Sequence, residues 1–194
     1  MSSLIERVKR LEHDLRLGPD AISLHNDLPF AIFCYDPEQE WQLRNEMMRL
    51  KTRLENDHVR RVVPISLAEL FWRAVDEAEG MDEIQELEVR SGFEKAQEQI
   101  TDDLSQGGFR PLADVFAETL RELNADHDYA FIWRAGVLSP NLYRVSKLLN
   151  EMKNKSRVPS VVFMPATSEG PTLRFMGIAE NEARGSYPFK VYLD

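Results

Sequence analysis

Four histidines, one cysteine and several close-set carboxylates are the residues from which a catalytic or metal site would have to be built. His13, His25, His58 and His127 show no HExxH or comparable spacing, so no helical face presents two imidazoles to a metal ion. Cys34 stands alone, which excludes a thiolate zinc cluster and an internal disulfide within one chain. It lies inside the apolar run FAIFCY and reads as a small buried hydrophobe. Asp126-His127-Asp128 has the composition of an acid–base or metal cluster, but it falls between a helical and an extended stretch, where short polar side chains cap and turn the chain. There is no GxxxxGK[ST] phosphate loop, no GxGxxG turn and no GxSxG elbow. These patterns point to no catalytic residue, no metal ligand and no cofactor, and the expectation is a protein that is not an enzyme.

The best candidate for a working surface is the turn from Arg134 to Arg144. It follows the strand-like run YAFIW and precedes a helix with Leu142, Val145, Leu148, Leu149 and Met152 on one face. Ser139-Pro140 has the form of an N-cap followed by a first-turn proline. In a parallel α/β sheet, ligands gather at the carboxyl ends of strands, and helix amino ends attract anions. Arg134, Gly136, Ser139 and Arg144, joined by Arg174 from a neighbouring strand, are therefore the candidate site for an anion or a partner's carboxylate. The competing expectation is that these arginines pair with local acids such as Asp126, Asp128 or Glu169.

The elements that must position this turn follow from periodicity. The unit YAFIW, turn, helix, VVFM is a crossover joining two parallel strands. Upstream, Ser3 and Glu6 form a capping box for an amphipathic helix over residues 3–17, with Leu4, Val8, Leu11 and Leu15 aligned. FAIFCY is continuously apolar, as strands covered on both faces are. Asp36-Pro37 with Gln39 opens a second helix whose inner stripe is Leu43, Met47, Leu50 and Leu54. Its other face, with Arg44, Lys51, Arg53 and Glu55, reads as solvated surface. RRVVPI is a short strand whose Pro64 suggests its end or a sheet edge. Ser66 and Glu69 cap the helix over residues 67–79. A strongly charged helix over 81–105 carries the sparse apolar face Ile84, Leu87, Phe93, Ile100 and Leu104, and Gly107-Gly108 ends it. Pro111 opens another helix, with Leu112, Val115, Phe116, Leu120 and Leu123 aligned. Residues 172–177 and 187–193 are further strands, the last at an edge. The fold class is α/β: a mostly parallel central sheet of about five or six strands flanked by helices, with a helical excursion near residues 67–124 and one domain over 1–194.

A net charge of −9 argues against direct DNA binding, which needs clustered Lys and Arg. The opening residues are charged and amphipathic rather than signal-like, and no apolar run approaches a membrane span. A cytoplasmic protein with no membrane contact is the expectation.

The segments IWRAGVLSPNLYRVSKLLNEM, RVPSVVFMPATSEGPTLRFMG and GSYPFKVYL resemble the BrxB family of bacteriophage-exclusion (BREX) defence systems. The opening amphipathic helix, LPFAIFCYDP and the helix carrying Arg44 and Leu50 fit as well. The family pattern of a Gly-containing turn with Pro and Arg in the next helix is matched by Gly136, Pro140 and Arg144. Ala166 stands where members often have a glycine. The resemblance implies a small accessory subunit of a system that methylates host DNA and blocks phage replication. It passes on no catalytic residues. The partners it implies are other BREX components: first the PglZ-type phosphatase-like protein, then the large ATPase and the methyltransferase. An adaptor with an exposed apolar patch is expected to self-associate when its partner is missing. The alternative is a nucleotide- or phosphate-binding regulatory protein or enzyme that uses the 134–144 turn.

Overall fold

Ser3 opens the first helix, α1 (Leu4–Leu17). Its hydroxyl accepts from the Glu6 amide at 3.2 Å while the Glu6 carboxylate accepts from the Ser3 amide at 2.7 Å, so two otherwise orphan donors are satisfied reciprocally. The structure, a computed structural model, describes residues 3–23, 28–105, 110–139, 142–169, 172–178, 182–183 and 189–193. A short α2 (Pro19–Ile22) leads to β1 (Phe30–Tyr35), all of it buried. Asp36 then accepts from the Glu38 amide at 2.9 Å and caps a single 3-10 turn (Pro37–Gln39), from which α3 (Glu40–Asn56) continues. The helix starts at Asp36-Pro37 as expected, but the Asp36 side chain bonds Glu38 rather than forming a box with Gln39.

Between β2 (Arg61–Ser66) and β3 (Asp128–Trp133) lie α4 (Leu67–Ala78), α5 (Met81–Ser91), α6 (Phe93–Ser105) and α7 (Leu112–Arg121). Ser66 caps α4 by accepting from the Glu69 amide at 3.3 Å. The single helix expected over 81–105 is two, because Gly92 sits at φ 91° and interrupts it, a conformation a residue with a Cβ rarely adopts. The expected break at Gly107-Gly108 lies outside the described residues. β2 and β3 pair in parallel over Arg61–Ser66 and Asp128–Trp133, so this whole helical excursion is the crossover between two neighbouring strands.

After β3 comes a 3-10 turn (Ala135–Leu138), then α8 (Val145–Glu151), β4 (Ser160–Glu169), β5 (Thr172–Phe175), β6 (Glu182–Ala183) and β7 (Lys190–Tyr192). One expectation fails here. Ser139 closes the 3-10 turn, its amide donating to the Gly136 carbonyl at 3.0 Å, and α8 begins only at Val145 with Arg144 as its N-cap. The tight turn that follows Trp133 uses up the residues expected to start the helix. Pro140 lies outside the described residues, as do Tyr187 and Pro188 of the expected last strand.

The parallel strands run in the order β2-β3-β4-β1-β7, and the far half of β4 pairs antiparallel with β5, which pairs with β6. Pro64 is on β2, an edge of this path, where its missing N–H interrupts no ladder. Alternate residues of each inner strand feed two cores. Ala31, Phe33, Tyr35, Tyr129, Phe131, Val161 and Phe163 face the layer of α1 and α3. Phe30, Ile32, Cys34, Ala130, Ile132, Val162 and Met164 face α4, α7 and α8. This two-sided burial is why those strands are continuously apolar. Phe163 centres the first core, 5.4 Å from Phe33 and 5.3 Å from Phe131. On the second face Phe30 meets Phe116 of α7 at 6.0 Å.

Candidate functional site

A cleft of about 350 Å³ opens where β1 and β3 end and the parallel half of β4 gives way to its antiparallel half, lined by Pro37, Glu40, Arg44, Ala68, Trp72, Arg134, Gly136, Val137, Pro165 and Met176. The parallel sheet places it there: β1 delivers the Asp36-Pro37 turn and α3, β3 delivers Trp133 and Arg134, β4 delivers Pro165, and β2 delivers α4 with Trp72.

Two of the five expected site residues meet at this cleft, and three do not. Arg134 follows Trp133 directly and is left-handed, with φ 60° and ψ 35°. Its guanidinium lies 5.7 Å from the Trp133 ring centre, and among the described residues it forms no ion pair. Gly136 lines the cleft without a positive φ; a Cβ there would meet Met176 Sδ at 3.4 Å and Pro165 Cγ at 3.8 Å. These are ordinary contact distances, so neither φ nor space requires a glycine at 136, and the unusual backbone of the turn belongs to Arg134. Ser139, Arg144 and Arg174 do not line the cleft. Ser139 ends the 3-10 turn, Arg144 is exposed at the start of α8, and Arg174 is half-buried on β5.

The pairing of these arginines with Asp126, Asp128 or Glu169 is not what is seen for Asp128. That carboxylate accepts from Arg61 at 2.8 and 2.7 Å and from the Asn124 amide at 2.7 Å. The Arg61 bond, ahead of the Asn124 bond, holds its carboxyl below the ordinary aspartate range against the opposing effect of burial. The Asp126 amide donates to Asn124 Oδ1 at 2.8 Å. The Asp-His-Asp cluster is thus a turn at the amino end of β3, at the other end of the sheet from the cleft, as its sequence position suggested. Among the described residues no group of His, Cys, Asp and Glu could hold a metal ion.

Arg44 is the cleft residue that sequence reasoning placed on solvated surface. Its guanidinium is 4.8 Å from the Trp41 ring centre and 4.9 Å from that of Trp133, and its Nε donates to Glu40 at 2.7 Å. The other Glu40 oxygen accepts from the Tyr35 hydroxyl. Burial, and then that bond, keep the Tyr35 phenol well above its ordinary range. The signal lay in spacing. Trp41, Arg44 and Met48 share a stripe of α3 at helical intervals, away from the buried Leu43, Met47, Leu50 and Leu54. Trp41 is 74% exposed, Met48 and Trp72 each 46%. The other charges on that face are engaged: Lys51 with Glu55 and the Val62 carbonyl, Arg53 with Glu12.

Together these features define an α/β protein with a parallel sheet and an aromatic, arginine-bearing cleft at its carboxyl edge. The model of the family described as BREX protein BrxB matches residues 63–189, well over half of the 194-residue chain. The chain belongs to the BrxB family. It is 24% identical over 156 residues to a BREX protein BrxB from Bacillus cereus (strain H3081.97), covering 79% of each chain. No solved structure gives a significant match. No helix among the described residues is long and apolar enough to cross a membrane.

Proposed function

We propose that this chain is a non-catalytic adaptor subunit of a BREX phage-defence complex. Its family membership supports a role in BREX defence. The observation that carries the adaptor reading is the surface around the cleft. Exposed Trp41 and Trp72, Met48, Arg44 and Arg134 are the residue types that dominate the energetics of protein interfaces. The partners are other BREX components: the PglZ-type phosphatase-like protein first, then the large ATPase and the methyltransferase. Through them the chain serves phage restriction and host DNA methylation.

Co-expression of the tagged chain with the neighbouring defence genes, followed by affinity capture at moderate salt and mass spectrometry, tests this. A stoichiometric BREX component is the expected product. A chain that comes back alone, from cells in which all components are expressed, rejects the adaptor reading.

A second reading has the cleft's location in its favour. Pockets of this size at the carboxyl ends of parallel strands hold nucleotides or phosphates in many α/β proteins. It predicts a rise in melting temperature with a mononucleotide or inorganic phosphate, since a ligand that binds only the folded state stabilises it.

A further inference from the structure

Charge is unevenly shared around the cleft. Arg44 and Arg134 line it, and both lie within cation–π range of the same indole, Trp133. Among the described lining residues Glu40 is the one carboxylate. Both of its oxygens are engaged, one by Arg44 and one by Tyr35. Among the described lining residues two guanidiniums less one carboxylate leave a single positive charge, in a chain whose net charge is −9. Arg134 is the group left over. Its guanidinium lies within cation–π range of Trp133 and forms no ion pair among the described residues, so its N–H donors can serve a ligand's acceptor. Its left-handed backbone is the conformation glycine would adopt with less strain, and backbone outliers of this kind gather at working sites.

The other described side chains of the lining are apolar: Pro37, Ala68, Trp72, Val137, Pro165 and Met176. The contact surface also runs beyond the cleft, because Trp41, Arg44 and Met48 continue it along α3. A compact ligand lodged in the cleft would leave that stripe uncovered, whereas an extended chain would lie along it. A phosphate monoester carries nearly two negative charges at neutral pH, more than the one positive charge on offer. The amino end of α3, which borders the cleft, already carries Asp36, Glu38 and Glu40. Those carboxylates take up the favourable end of the helix dipole, so an anion in the cleft depends on direct contact with Arg134, and a second anionic charge has no partner.

We infer that the cleft and the α3 stripe receive an extended, apolar peptide segment of a partner protein bearing one carboxylate, which Arg134 holds while Trp41, Trp72 and Met48 cover its apolar side chains. The inference rests on the adaptor reading and specifies the partner's chemistry.

The test is an array of short overlapping peptides covering the sequences of the other BREX components, probed with the tagged full chain. One set is tethered by its carboxyl end, so that only side-chain carboxylates are present; a second set has free carboxyl ends. Bound peptides should contain an Asp, a Glu or a free carboxyl end beside Leu, Ile, Met or Phe, and the two sets tell those sources apart. Changing the carboxylate to its amide should lower the signal about tenfold or more, which is the loss of one charge-assisted contact. Arg134→Glu and Arg134→Gly should each do the same while thermal melts show both variants folded. Arg144→Glu, away from the cleft, should bind as the natural chain does. Peptides held equally well by Arg134→Glu, or after the amide change, overturn the inference. So does an array with no bound peptide when the chain still captures an intact component from cells, a result that leaves the adaptor reading standing. Capture failing as well would remove the adaptor reading itself.

Discussion

Replacing Arg134 by glycine and, separately, by alanine sets backbone strain against side-chain contact at one position. The residue sits at φ 60°, ψ 35°, where a Cβ costs on the order of 1–2 kcal/mol. Alanine keeps that strain and loses the stack on Trp133, worth about 0.5–1 kcal/mol at an exposed site. Glycine loses the same stack and relieves the strain, offset by roughly 0.5–1 kcal/mol of extra freedom in the unfolded chain. The glycine variant should therefore be more stable than the alanine variant by about 1 kcal/mol, the reverse of their order in a helix. In a chain of this length that is a separation of about 2–4 °C in Tm. Urea and thermal melts of the three proteins at neutral pH measure it. An alanine variant as stable as the glycine variant, or more so, would refute the claim that this turn is strained at Arg134. Because both variants lack the guanidinium, partner capture should weaken to the same degree in both despite their different stabilities, which separates folding from contact.

Further expectations concern the two ends of the sheet and its middle. Asp128→Asn should cost about 1–2 kcal/mol at neutral pH, less than a fully buried pair because Arg61 is exposed. The folded carboxyl titrates below its unfolded range, so its contribution is complete above that range and is lost as pH falls through the folded value. The gap in urea midpoint between the natural chain and the variant should hold down to about pH 5, begin to narrow near pH 4 and close only as pH passes below the folded value; a gap undiminished in strong acid would contradict the Arg61 pairing. Gly136→Ala should leave the Tm within a few degrees, since the added Cβ meets Met176 at ordinary contact distance, while Gly136→Val should crowd Met176 and Pro165 and lower it measurably. Burial pushes the Cys34 thiol up to about 12, so a thiol reagent should label it only as fast as the protein unfolds; rapid labelling of folded protein at pH 8 would place Cys34 elsewhere.

Much of the fold was legible because its signals are local. The capping box at Ser3 and Glu6 and the unbroken apolar run of β1 each have one physical meaning, and each is realised, while Pro64 left strand end or sheet edge open and the structure has the edge. The two-helix split at Gly92 was missed because the apolar positions on either side share one period, and a lone glycine inside a helical pattern is ambiguous until its φ is known. The site was half legible. Arg134 and Gly136 stood next to a strand end, where α/β folds place their clefts. Ser139-Pro140 has the form of a helix start, but the 3-10 turn after Arg134 displaced that start to Val145. Arg44 was hidden by distance along the chain, since nothing in one sequence says that a helix surface near residue 44 will face a strand end at residue 133. Only the β1-β4-β3 strand order brings them together.

The chain contains three tryptophans, and all three stand at this one end of the sheet: Trp72 in the cleft wall, Trp41 and Trp133 on either flank of Arg44. Its natural ultraviolet emission therefore comes from the cleft and carries almost no signal from the amino ends of the strands. Docking at the cleft should dry Trp41 and Trp72 and move that emission toward the blue with no label attached. Loosening at the Asp128 end should pass unseen by fluorescence while remaining visible to circular dichroism. Disagreement between those two probes during acid titration would then indicate which end of the sheet opens first.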